Sequence, residues 1–169
     1  MLRKMILCSL ILLSGCVSIP DNVEPVKAFD VNRYLGKWYE IARLDHSFER
    51  GLEKVTAEYS LRDDGGIKVV NRGFNPESNT WKEAVGKAYF VADPHIGRLK
   101  VSFFGPFYGG YNIIELDQSY SYSMICGPGK NYLWILARKP EMEEPTRVDL
   151  IKKAKTLGFD TDKLIFVKQ

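Results

Sequence analysis

The chain has 169 residues, 45% of them hydrophobic and 12% aromatic, enough apolar material for one packed domain. Charged residues make up 27%, but the net charge is only +3 and no long run carries one sign, which excludes the basic footprint of a nucleic-acid binder. Part of the basic excess is Arg3 and Lys4, placed just ahead of an apolar run over residues 5–13. That order is the one a secretory signal uses, and the run is too short to span a bilayer as a helix.

Leu13-Ser14-Gly15-Cys16 comes next, an aliphatic residue and two small ones before a cysteine. It resembles the lipobox of bacterial lipoproteins. The resemblance implies cleavage before Cys16, a diacylglycerol on its thiol and an acyl chain on its amine, an anchor firmer than any single chain provides. The chain then divides into a signal peptide (1–15), a lipidated cysteine with a polar tether (16–28) and a domain (29–169). Against this stands an ordinary signal peptide with a chance cysteine at its end. Val17, where an inner-membrane retention signal would place Asp, implies the outer membrane with the domain on its periplasmic side. Cys8 leaves with the signal and Cys16 is modified, so Cys126 is the thiol left in the body of the fold and no intramolecular disulfide is available. A lone thiol in an oxidising compartment is expected to be buried. His46 and His95 both fall in loops, which gives a histidine-activated nucleophile little support.

From residue 36 the chain reads as short strands divided by turn chemistry: 36–44, 55–61, 67–71, 81–91, 99–104, 111–116, 120–126 and 132–137. Asp63-Asp64-Gly65-Gly66, Asn75-Pro76, Asp93-Pro94, Gly105-Pro106, Gly109-Gly110 and Gly127-Pro128-Gly129 supply the reversals. Eight strands joined as successive hairpins predict an all-β fold, an up-and-down barrel without exposed edges and with room for one small ligand. Residues 145–157 then carry apolar positions at helical spacing between Pro145 and Gly158, predicting one amphipathic helix packed outside the barrel. Residues 164–167 predict a short ninth strand.

Following the strands up and down brings Gly36 and Trp38, Asp117 and Tyr120, and Arg138 to one end. This arrangement resembles the lipocalin family over essentially the whole mature chain. The resemblance is closest to its bacterial outer-membrane branch and, more distantly, to the apolipoprotein D branch. The family's GxW is carried by Gly36 and Trp38, its late basic residue by Arg138, and its second motif by Asp117 and Tyr120 in an Asp-x-x-Tyr variant. The resemblance implies that Arg138 lies over the Trp38 indole and that this end is a structural plug.

The ligand mouth is expected at the other end. Phe103, Phe104, Phe107, Tyr108 and Tyr111 crowd a glycine-rich segment there, and Trp134 shares the face of Arg138 by strand alternation. Phe104, Phe107, Tyr108, Tyr111 and Trp134 are the predicted apolar contacts. Polarity is expected from the 46–50 loop, with Arg50 and Lys54 as the head-group candidates. The family implies a fatty acid or lysophospholipid ligand, a carrier or storage role in membrane maintenance, and no cofactor or metal. An enzyme acting on a bound lipid finds no paired carboxylates or metal spacing on the predicted barrel wall. A structural lipoprotein with a filled barrel is a further reading, and exposed aromatics at the mouth suit a homodimer or a bilayer equally well.

Overall fold

The computed structural model describes residues 17–169, so the signal peptide and Cys16 lie outside the described residues. A one-turn helix α1 (Val31–Tyr34) leads into β1 (Gly36–Arg43), β2 (Glu53–Leu61), β3 (Ile67–Asn75), β4 (Thr80–Phe90), β5 (Arg98–Phe104), β6 (Phe107–Leu116), β7 (Tyr122–Cys126) and β8 (Leu133–Ala137). Helix α2 (Glu144–Thr156) and a two-residue strand β9 (Ile165–Phe166) complete the chain. Each strand pairs antiparallel with the next, and β1 pairs with both β2 and β8, which closes the barrel; β9 adds to β1 at Ala42 and Arg43.

Strand alternation divides the core in two. On β8, Leu133, Ile135 and Ala137 join the cluster between the outer wall and α2, while Trp134 and Leu136 join the cluster inside the barrel. Helix α2 contributes Leu150 and Ala154 to the outer cluster. It ends in a Schellman arrangement: the Gly158 N–H donates to Lys155 and the Phe159 N–H to Ala154, with Gly158 at φ +84°. Cys126 is fully buried in this outer cluster, and burial pushes its thiol up to about 12. It is therefore no nucleophile at neutral pH.

Two sequence expectations change. Residues 17–28, read as a tether, are laid along the barrel instead. Val23 is buried, the Val26 N–H donates to Ile113 at 2.8 Å, and the Gly97 N–H donates back to Val26 at 2.9 Å. The strand predicted at 111–116 begins at Phe107, so Gly109 and Gly110 are strand residues rather than a turn. Gly110 is required there, because a Cβ would come within 2.8 Å of the Ser18 carbonyl.

A bulge in β1 decides the barrel's chemistry. The β1–β8 register shifts between Glu40 and Ala42, so alternation slips by one residue. Trp38 and Glu40 point inward before it and Arg43 after it, while Ile41 and Ala42 face the outer cluster.

Candidate functional site

One end of the barrel is sealed. Trp38 is fully buried and donates its indole N–H to the Tyr34 carbonyl at 2.8 Å. The Arg138 guanidinium lies 3.9 Å from the Trp38 ring centroid and donates to the carbonyls of Lys37 (2.9 Å), Arg33 (2.8 Å) and Tyr120 (3.3 Å). Gly36, at φ +89°, has 3.5 Å between its virtual Cβ and that guanidinium, a backbone conformation only glycine adopts cheaply. The Tyr120 hydroxyl accepts from the Asp30 N–H at 2.9 Å. Asp117 organises its own loop, accepting from Ser119 and Ser121, and these bonds hold its carboxyl down at about 2. Phe29, 1% exposed, fills the remaining space against Tyr34 and Phe90.

Above the plug the hydroxyls of Tyr34, Tyr59 and Tyr111 meet, with Tyr111 at 2.8 Å from each of the other two. Burial raises all three well above the ordinary phenol, Tyr34 to about 12, so they remain neutral hydrogen-bonding groups. Toward the other end the inner wall is only partly covered: Val101, Phe103, Tyr111 and Trp134 belong to the barrel core yet keep solvent access, as does Ala57, the register partner of Trp38. Asn71, opposite Ala57 in the β2–β3 register, has a buried Oδ1 with no hydrogen-bond partner among the described residues.

Beneath the β1–β2 loop lies a charged cluster: His46 and Glu49 come from the loop expected to supply polarity, while Glu40 and Arg43 of β1 were not anticipated. Arg43, with 2% of its side chain exposed, donates to Glu40 Oε1 at 2.7 Å and to the carbonyls of Glu49 (2.8 Å) and Leu52 (3.3 Å). Trp134 donates its indole N–H to Glu49 Oε2 at 3.1 Å. His46 Nε2 approaches the same carboxylate oxygen at 2.9 Å, but the ring is turned so that no hydrogen bond is completed, and among the described residues both its nitrogens and Arg43 Nε are buried without hydrogen-bond partners. Burial first, and then the nearby Glu49 charge, raise Glu40 well above the carboxylate range, with Arg43 opposing. For Glu40 and Arg43 the sequence offers one signal, two charges in the mainly apolar stretch 38–43 of β1, but simple alternation puts residues three apart on opposite faces.

The predicted contacts separate accordingly. Tyr111 and Trp134 face the interior, whereas Phe104 and Phe107 project into solvent at the tip of the β5–β6 hairpin. Tyr108 lies on the outer wall, 6.3 Å from the Tyr89 ring with Lys100 Nζ 5.1 Å from its centroid. Arg50 is exposed and pairs with Asp45 at 2.6 Å. Lys54 stands over Phe74 and lines an outer groove of about 230 Å³ with Lys37, Arg72 and Trp81. Neither cation reaches the barrel. Among the described residues no group of three or more His, Cys, Asp or Glu is placed to hold a metal.

The Glu40 shift predicts a pH dependence. The folded chain binds this proton more tightly than the unfolded chain, so stability contributed by Glu40 is greatest in acid and falls as pH rises from about 4.5 toward the raised folded value. Relative to Glu40→Gln, the wild type is expected to lose up to about 1.4 kcal/mol per pH unit across that window. Urea midpoints of both proteins at several pH values test it, and parallel profiles would refute it.

A closed antiparallel barrel, plugged at one end and accessible at the other, is the architecture of a small-molecule container. The Lipocalin-like domain family model matches residues 29–169, and the chain belongs to the lipocalin family. It is 57% identical to Outer membrane lipoprotein Blc of Vibrio cholerae over 166 residues, covering 98% of this chain and 96% of that one. With Outer membrane lipoprotein Blc of Escherichia coli (strain K12) it shares 55% identity over 150 residues, 89% of this chain and 85% of the relative. Rat apolipoprotein D is 35% identical over 125 residues, 70% of this chain and 65% of the relative. Among solved structures, insecticyanin of the tobacco hornworm Manduca sexta superposes with a TM-score of 0.71 at 21% identity, covering 90% of this chain and 87% of that one, a likeness of fold.

Proposed function

We propose that this lipocalin is a lipid carrier or store that takes a fatty acid or a lysophospholipid into the open half of its barrel. The observation that carries the reading is the unequal filling of the interior. The Trp38 end is packed solid, while Val101, Phe103, Tyr111 and Trp134 line an accessible apolar wall. Burying an acyl chain there is favourable by roughly 25 cal/mol per Å². The head group would sit beside Glu49, Arg43 and His46, where the buried Arg43 Nε and His46 ring nitrogens, without hydrogen bonds among the described residues, are available to it. The names of the bacterial relatives support an outer-membrane lipoprotein, and with Cys16 they support a domain anchored on the periplasmic side. Membrane maintenance is the role this placement suits. The reading is of a binding protein rather than an enzyme: the charged cluster is tied up in mutual contacts, and Cys126 faces away from the barrel.

An environment-sensitive fatty-acid probe tests it. Binding is expected, with displacement by natural lysophospholipids. Val101→Phe, which adds a ring to the accessible wall, should weaken probe binding at least tenfold with an unchanged far-ultraviolet spectrum. No binding at any concentration would leave a structural lipoprotein, and turnover of bound lipid would make it an enzyme. Native mass spectrometry of the same protein reads retained lipid and any homodimer together.

A further inference from the structure

The β5–β6 hairpin ends in two phenylalanines, Phe104 at 82% and Phe107 at 78% exposure, flanking Gly105 and Pro106. Phe48, on the β1–β2 loop at the same end, is 61% exposed. One exposed apolar ring needs no explanation, but two neighbouring rings held out from a tight turn form a patch that water does not favour.

The beginning of the described chain lies against the same hairpin. The Ser18 carbonyl accepts from Asn112 Nδ2 at 3.2 Å, the Ser18 hydroxyl donates to the Pro128 carbonyl at 3.2 Å, and the Val17 carbonyl accepts from Arg98. Ser18 is level with Gly110, three residues along β6 from Phe107, or roughly 10 Å. From Ser18 the chain descends the barrel wall under the Val26 hydrogen bonds, so it has little slack. Cys16 is the next residue in sequence before Val17. Between these levels, Tyr108 and Lys100 stack on the outer wall, with Lys100 Nζ 5.1 Å from the ring centroid. From the tip downward the order is apolar rings, then an amphipathic ring with a cation, then the anchored end of the chain. The first two match the order from acyl chains to head groups, and the third keeps the anchored end within reach of the head-group level.

We propose that the open end of the barrel is a membrane-docking face, with Phe104 and Phe107 inserted into the leaflet that holds the Cys16 lipid. The proposal rests on the reading of Cys16 as acylated and extends the carrier reading by fixing which end meets the bilayer. A lipid then passes between leaflet and barrel without crossing bulk water. The patch favours a bilayer over a second copy of the chain, because a few rings on loop tips fall far short of the roughly 800 Å² per partner of a stable interface. A bilayer requires only shallow insertion beside an existing anchor.

The test is amide hydrogen exchange on the full acylated chain, in vesicles of phosphatidylethanolamine and phosphatidylglycerol and in detergent. Exchange at residues 103–108 is expected to slow at least tenfold in vesicles, with residues 62–66 at the closed end unchanged. The double substitution F104S/F107S should abolish that protection while the anchored fraction stays the same. Equal exchange in both media, protection at residues 62–66 instead, or protection that grows with protein concentration without vesicles each overturns the proposal, the last in favour of a second copy. The mass of the N-terminal peptide separates the two readings. If Cys16 carries no acyl group the anchor reading fails, and vesicle flotation of that unacylated chain then decides: a tenfold drop with F104S/F107S supports the face, and no drop overturns it.

Discussion

Replacing Arg43 with alanine is expected to destabilise the protein by about 3–5 kcal/mol, the scale for removing one partner of a buried ion pair. The guanidinium holds the Glu40 carboxylate at 2.7 Å and two backbone carbonyls of the β1–β2 loop region, from a position where 2% of the side chain meets solvent. Without it, Glu40 is left buried near Glu49 with no cation, and the carbonyls of Glu49 and Leu52 lose their donor. For a domain of this size that corresponds to a fall in Tm of about ten degrees. A second arm separates charge from packing. Glu40→Leu with Arg43→Met replaces the pair by apolar groups and should recover most of the loss, because the desolvation of both charges disappears with them. A loss under about 1 kcal/mol for Arg43→Ala would mean that the cluster is solvated in solution, and the loop would then have no fixed position over the mouth.

The plugged end was more legible in the sequence than the open one, and the reason is geometric. Gly36, Trp38, Tyr120 and Arg138 are located by which hairpins share an end, and counting reversals gives that without knowing any register. The ligand end depends on which way each side chain points, so errors of one residue matter. Tyr108 shows this. Once β6 is known to start at Phe107, counting in twos from Tyr111 puts Tyr108 on the outer wall, but Gly109-Gly110 reads as a turn when the Ser18 backbone that needs the space is not visible. The β1 bulge had the same effect on Glu40 and Arg43, which alternation places on opposite faces and the bulge brings together. Arg50 and Lys54 stand out in the sequence because cations near a mouth suit an anionic head group. The structure pairs Arg50 with Asp45 and turns Lys54 toward Phe74, while the buried cation sits on the preceding strand. Residues 17–28 are polar and carry two prolines, the composition of a linker, yet their backbone finds partners on the loop before β5 and on β6.

Trp38→Ala is expected to cost about 3–5 kcal/mol, the range for truncating a fully buried aromatic in a core that relaxes only partly. The indole packs 4.7 Å from the Tyr34 ring centroid, lies under Arg138 at 3.9 Å, and has its N–H satisfied by the Tyr34 carbonyl. Its removal also exposes Arg138, whose position otherwise rests on three backbone carbonyls, and opens the sealed end to water. Trp38→Phe distinguishes a plug from a ligand contact. It keeps most of the apolar volume and the face under Arg138 but leaves the Tyr34 carbonyl without its donor, a loss of about 1–3 kcal/mol. The indole is held by Tyr34 and Arg138 at the sealed end, whereas Val101 and Phe103 are on β5 and Trp134 on β8, so a ligand against those three is not expected to touch the indole. Fatty-acid probe affinity should therefore change less than twofold in Trp38→Phe while its urea midpoint falls. A tenfold loss of affinity at unchanged midpoint would instead place the acyl chain below the tyrosine layer, and the sealed end would be part of the binding site.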